Sequence, residues 1–336
     1  MRVKPTTSDG TPALEVDEYV KHVRNEYLHA YVHGGGASVK FVAGDEDTTT
    51  SYFSKRLENA ACDGGYLHVR LDAAQTRVQF VEELFFAVSR NVDWVRLAAD
   101  FLHRVYAGLD IPPDPGQPPE VSVQVRRVAE ANGLHHGELY RTVRRRLERE
   151  LLGENLLMHQ FRVAMLRLCE SLLDWVDTDA DEHNIVLRWL RGHSVPVAEL
   201  RTVGLHARVA RHQARYMFNS LSRWVHMTGA PGIVVELDVG RVAVGRRPPA
   251  AARRGFYYTK AAALDTFEIL RQFVDGTDDL LAFLLVVTMP QRMVVDTVRG
   301  LPAYHALYLR VANEVYDAER VNPFGSLVHV TRNPRE

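Results

Sequence analysis

Cysteine is nearly absent from this 336-residue chain, with Cys62 and Cys169 far apart and without the spacing of metal ligands. That argues against a disulfide framework and against a structural zinc. Charge of one sign is lacking too: 41 Lys and Arg face 42 Asp and Glu. Bulk charge therefore argues neither for nor against nucleic acid as a partner. Long hydrophobic runs are missing, because the longest, residues 280–287, is far too short to cross a bilayer. Residues 1–10 are polar and lack the apolar stretch of a secretion signal. The expectation is a cytoplasmic protein with no membrane partner and no bound metal.

What is present is ordinary for a globular protein: 46% hydrophobic and 25% charged residues. The length holds one large domain, or a core domain with a smaller helical part. Residues 13–32 have helical spacing, and Gly34, Gly35 and Gly36 then break the chain before an alternating strand at 38–43. A polar loop at 44–51 leads to helical spacing at 52–62, a strand at 66–71 and a helix from 76 to 88. This alternation opens an α/β domain with a parallel sheet.

From 92 to 227 the pattern is almost wholly helical, interrupted by a proline-rich loop at 112–119. Strand signals return at 233–237, ending in Asp238, and at 280–288. A loop at 246–254, a helix at 260–274, a helical tail at 301–316 and a short strand at 325–330 complete the reading. The expected organisation is thus an N-terminal half of the core at 1–91, a helical insertion at 92–228, and a C-terminal half with its tail at 229–336.

A phosphate-binding loop of the form G-x-x-x-x-G-K-[ST] uses glycines to wrap phosphates in backbone N–H groups. Its lysine bridges the terminal phosphates and its hydroxyl binds magnesium. Here the strand at 38–43 runs into Gly44-Asp45-Glu46-Asp47-Thr48-Thr49-Thr50-Ser51. Gly44 and Ser51 keep register, but Thr49 replaces the second glycine and Thr50 the lysine. Asp45, Glu46 and Asp47 bring three negative charges toward any phosphate, at about 1 to 4 kcal/mol per like pair. By itself the segment reads equally as an acidic surface loop of an unrelated protein.

The partner motif is a buried strand ending in an acid, followed by a catalytic acid that polarises water. The run at 233–238 fits the strand and its Asp238, but Val239 follows and cannot act as a base. Glu236 faces away from Leu237 and is no obvious replacement. The strand at 280–288 ends in Thr288, which could contact a phosphate or cap a loop. Farther back, residues 125–147 have helix-turn-helix spacing through Ala129, Gly133, Leu134 and Val143. Arg141, Arg144, Arg145 and Arg146 could reach DNA phosphates there, or form the solvated face of an amphipathic hairpin.

Taken together, these segments resemble the BREX system P-loop family, the BrxC/BrxD-type ATP-binding proteins of bacterial phage defence. The pieces that carry the resemblance are Gly34-Gly35-Gly36 with the strand to Gly44, residues 187–192, residues 229–238, residues 287–290 and residues 300–310. It implies an α/β P-loop NTPase fold, AAA+/STAND-like, with a parallel sheet and a large helical insertion. It also implies a nucleotide site at Gly44, Thr49, Thr50, Ser51, Asp238 and Thr288. Family members carry an intact lysine and an Asp-Glu pair, so the departures at Thr49, Thr50 and Val239 imply a degenerate site. The expectation is a pseudo-ATPase subunit with no catalytic residue and no cofactor, ATP with magnesium being disfavoured. It would act through a protein partner such as an active ATPase paralogue. The alternatives are an unconventional ATP-binding NTPase, with Arg292 or Arg310 replacing the lysine, and a DNA-binding module.

Overall fold

The computed structural model describes residues 6–7, 10–113, 116–173, 180–247, 249, 255–312 and 321–332. Two compact units emerge, one formed by Met1–Leu84 with Pro231–Glu336 and the other by Phe85–Ala230. The first contains the strands β1 (Leu14–Glu15), β2 (Ala37–Gly44), β3 (Leu67–Asp72), β4 (Ile233–Asp238), β5 (Phe283–Pro290) and β6 (Leu327–Thr331). Its helices are α1 (Val16–His22), which continues as a π-helical segment over Val23–Tyr31, and α2 (Asp47–Asp63). The unit boundary falls within α3 (Val81–Arg90). The second unit is helical: α4 (Trp94–Ala107), α5 (Pro119–Ser122), α6 (Val125–Asn132), α7 (His136–Gly153), α8 (His159–Leu172), α9 (Ala180–Leu190), α10 (Val197–Thr202) and α11 (Arg211–Met227). The first unit then resumes with α12 (Lys260–Asp275), α13 (Arg292–Val295) and α14 (His305–Ala312).

The sheet is parallel throughout, in the order β1-β6-β2-β5-β4-β3. This is an α/β, P-loop NTPase-like core. The chain starts the central sheet at β2, jumps to the far edge at β3, returns through β4 to β5, and crosses over β2 to β6. One strand, β5, therefore separates the strand that leads into the candidate loop from the strand that ends in Asp238. Strand order reverses beside β2, and ligands of open α/β sheets bind beyond the carboxyl ends of the strands at such a reversal.

Parallel strands covered on both faces read as continuous apolar runs, and β4 and β5 do so. On one face Val42, Val234, Leu284, Val286, Val328 and Val330 form a core with α1 and α2. Phe53 of α2 is fully buried there, 6.0 Å from the Tyr19 ring of α1. On the other face Phe273 of α12 stacks on Phe283 of β5 at 6.4 Å. A buried lysine secures the β2–β6 side: Lys40 donates to the carbonyls of Phe324 at 2.6 Å and Gly325 at 2.9 Å.

The main departure from the sequence reading lies at residues 44–51. Most of that segment is helix rather than loop, since α2 begins at Asp47. Elsewhere the helix expected at 76–88 begins only at Val81, after a series of turns. The strand expected at 280–288 starts at Phe283 and ends at Pro290. In the tail, α14 ends the described helix at Ala312, and residues 313–316 lie outside the described residues, as do 114–115, 248 and 250–254 of the expected loops.

Phe53 joins α1, α2 and the sheet, so its truncation leaves a void that three elements share. Phe53→Ala should lower the stability of this unit by about 3–5 kcal/mol, read as an earlier urea transition of the sheet-containing unit by native-state hydrogen exchange.

Candidate functional site

Every residue of the expected nucleotide site lies at the carboxyl end of the sheet or in the first turn of the helix that follows β2. Register sets the row: Asp72 pairs with Asp238, Asp238 with Thr288, and Thr288 with Val42, two residues before Gly44. The fold thus brings Gly44, Asp238 and Thr288 to one rim, with Thr49, Thr50 and Ser51 at the start of α2. Arg310, considered for the role of the missing lysine, is instead paired with Asp275 and donates to the Ala306 carbonyl at 2.7 Å.

Only Asp45 and Glu46 separate β2 from α2. Thr50, at the position of the lysine, already donates its N–H to the Glu46 carbonyl at 3.2 Å, as a helical residue does. Its side chain turns back onto Gly44, where a Cβ would collide with Thr50 Oγ1. Glycine is needed at 44 to let the helix close against the strand, not to leave space for a ligand. Ser51, at the position of the magnesium-binding hydroxyl, donates to the Asp47 carbonyl at 2.9 Å. Thr49 is buried.

The positive end of the α2 dipole attracts anions. Here acidic residues lie beside it, although the N-cap Glu46 makes no side-chain hydrogen bond to the helix amides. Asp45 accepts the Glu46 N–H at 2.9 Å through one oxygen and the Thr331 hydroxyl at 2.7 Å through the other. Glu46 accepts the Thr48 hydroxyl at 3.1 Å, and Asp47 opens the helix. A triphosphate needs a wide glycine loop with free amides and a cation, so the residues present do not fit one.

Asp238 is partly buried at the end of β4. Burial pushes its carboxyl above the usual range, the Gly240 N–H at 2.8 Å pulls the other way, and the neighbouring Asp72 adds to the rise. Thr288 is fully buried, and its hydroxyl has no hydrogen-bond partner among the described residues. It caps nothing.

The sequence reading set aside Glu236, yet it is the most constrained polar group in the sheet. It is fully buried in β4 and accepts a hydrogen bond from Ser54 of α2. His68 Nε2 lies 3.8 Å from one carboxyl oxygen and Arg70 Nε 3.7 Å from the other, both from β3. A carboxyl amid four apolar strand residues cannot be left unpaired, because burying it alone costs several kcal/mol. That composition was the available signal. Ser54, three residues beyond the motif, gave none.

In the helical unit α6 and α7 are joined by a short turn through Gly133, which has φ +63°. The buried side chains of this pair include Val125, Val128, Ala129, Leu139, Val143, Leu147 and Leu151, whereas Leu134, expected at a core or turn position, is exposed. Its arginines are largely engaged. Arg144 Nε lies 3.1 Å from both Glu148 and Glu170, Arg146 pairs with Glu150, and Arg141 donates to the Gly137 carbonyl at 3.2 Å. Arg145 is exposed.

The profile of the BREX system ATP-binding protein BrxC/D family matches residues 121–331. This is more than half of the chain and includes β4, β5 and the rim residues Asp238 and Thr288. The chain belongs to the BrxC/D family. Residues 44–51 lie outside the matched segment, so what is said of that loop rests on its own geometry. No curated protein and no solved structure gives a significant match. Family membership places the protein among the components of a BREX defence system. Among the described residues no helix is long and apolar enough to cross a membrane.

The raised Asp238 makes a signed prediction. An acid that protonates more readily when folded loses stability as pH rises from its unfolded value through its folded one. Asp238→Asn keeps the acceptor for Gly240 and removes the charge. The variant should melt higher than the parent at pH 7, and the difference should vanish when both are melted below the ordinary carboxylate range.

Proposed function

We propose that this BrxC/D-family protein is a pseudo-ATPase subunit of a BREX assembly, in which Gly44, Thr49, Thr50, Ser51, Asp238 and Thr288 are the remains of a nucleotide site. The observation that carries this reading is the closed β2–α2 connection. Thr50 packs onto Gly44, and Asp45, Glu46 and Asp47 bring negative charge to the start of α2, where it disfavours phosphate. Val239 beside Asp238 supports it independently, because no acid follows to polarise water.

Such a subunit acts through its surfaces, since a fold's core does not depend on turnover and its interfaces persist without it. The partner in this reading is an active ATPase paralogue of the same system. Two exposed apolar side chains shortly after β5, Val295 at 68% and Val298 at 56% exposure, favour a protein contact there.

The central test is calorimetry and turnover on the purified chain. No ATP binding is expected at millimolar nucleotide with magnesium, and no hydrolysis above background. ATP turnover abolished by Asp238→Ala would overturn the reading. Thr49→Gly with Thr50→Lys should restore the motif letters without restoring tight binding, because α2 still begins at Asp47. A separate measurement addresses the partner: Val295→Asp with Val298→Asp should weaken co-purification with the paralogue at least about tenfold, more than a rim charge normally does.

A further inference from the structure

A second cleft opens in the sheet-containing unit, beyond the carboxyl ends of β3 and β4. It has a volume of about 400 Å³ and is lined by Arg77, Gln79, Arg241, Arg247, Phe256 and Tyr257 among others. The geometry points to a binding site for single-stranded nucleic acid in this cleft, with the arginines on phosphates and the aromatic wall and Gln79 amide toward a base.

Its walls are rigidly built. Tyr258 is buried, and its single hydroxyl proton has the backbone carbonyls of Thr76 at 2.5 Å and Ala73 at 2.9 Å as acceptors, while the oxygen accepts the Val78 N–H at 3.2 Å. Phe256 donates its N–H to the Ala74 carbonyl at 2.8 Å. Gly255 has φ +76°, and a Cβ there would collide with that same carbonyl, so only glycine allows the approach. Arg299 donates to the Tyr258 carbonyl at 2.9 Å and lies 5.7 Å from the Tyr257 ring centre. The segment after β3 and the segment before α12 are thereby locked together.

The polar groups facing the cleft have capacity to spare. Arg77 stands 4.8 Å over the Phe256 ring, and Arg241 donates its Nε to the Phe256 carbonyl at 2.8 Å, which leaves its two terminal nitrogens. Neither these two nor Arg247 pairs with a carboxylate among the described residues. The buried Gln79 Oε1 has no hydrogen-bond partner among the described residues.

Unpaired guanidinium forks match phosphate oxygens, and guanidinium or aromatic faces stack on unpaired bases. The volume suits about one nucleotide and is far too narrow for a duplex, whose bases are not splayed out. An acidic peptide would satisfy the arginines but would leave the aromatic wall and the amide unused. The contrast with α7 is one of charge accounting, since there Glu148, Glu150 and Glu170 already claim the arginines.

The experiment is fluorescence anisotropy of a labelled twelve-residue oligothymidylate with the full chain, without nucleotide, across salt concentrations. Binding should weaken steeply with salt. Arg77→Ala with Arg247→Ala should weaken it at least about tenfold and flatten the salt slope by about 1.4, or 0.7 per lost phosphate contact. Arg141→Ala with Arg145→Ala should leave affinity within about twofold. Circular dichroism melts confirm that each variant is folded, and Arg77→Lys provides a milder second variant with intermediate affinity. No binding at 100 mM salt, unchanged binding by the Arg77/Arg247 variant, or equal competition by polyglutamate would each overturn the inference. Because no ATP is present, failure here is separable from failure of the pseudo-ATPase reading.

Discussion

The whole rim of this sheet depends on how closely α2 is allowed to approach β2. With only Asp45 and Glu46 between them, the helix starts three residues before the position where a phosphate loop would still be turning. Gly44 makes the approach sterically possible, and Thr50 fills the resulting space. Each further feature of the rim follows. Asp45 accepts the Glu46 N–H just before the helix and the Thr331 hydroxyl, which holds its charge near the positive end of α2. Ser51 is on the helix surface and bonds its own backbone. Asp238, at the end of β4, is partly buried, and that burial raises its carboxyl.

Glu236 plays a complementary role beneath the helix. A hydrogen bond from Ser54 joins α2 to the middle of β4, and the edge strand β3 contributes His68 and Arg70 from the same face. Apolar packing by Phe53 and Leu57 is tolerant of small shifts of a helix, whereas a buried carboxyl with few partners is not. The pairing fixes the seat of α2, and so the closure at Gly44. Catalysis is not required to explain a glutamate at this depth.

The strands were readable from sequence because buried parallel strands are continuous apolar runs, as at 233–238 and 283–290. The start of α2 was not. Asp47, Thr48, Thr49 and Thr50 are all weak helix formers, and local propensity favours a loop there. Burial of Thr49 and Phe53 against the core overrides that preference. Sheet order was equally hidden, since nothing in β5 itself says that it lies between β2 and β4. The rim residues could be named from motif spacing, but whether their space was open depended on two loop residues and one threonine rotamer. Neither is a property of composition.

The arginines show how far charge patterning can mislead without partners. The run at 141–149 is the densest basic cluster in the sequence, yet i,i+4 glutamates and Glu170 answer much of it. Arg77, Arg241 and Arg247 are scattered over 171 positions and form no visible patch. They meet because β3 and β4 are neighbours and because Tyr258 ties the segments beyond them. A cluster assembled by topology, with no ion pair to a carboxylate among the described residues, keeps its guanidinium groups available for a ligand. A cluster written contiguously on a helix has neighbours one turn away that can cancel it, and here they do.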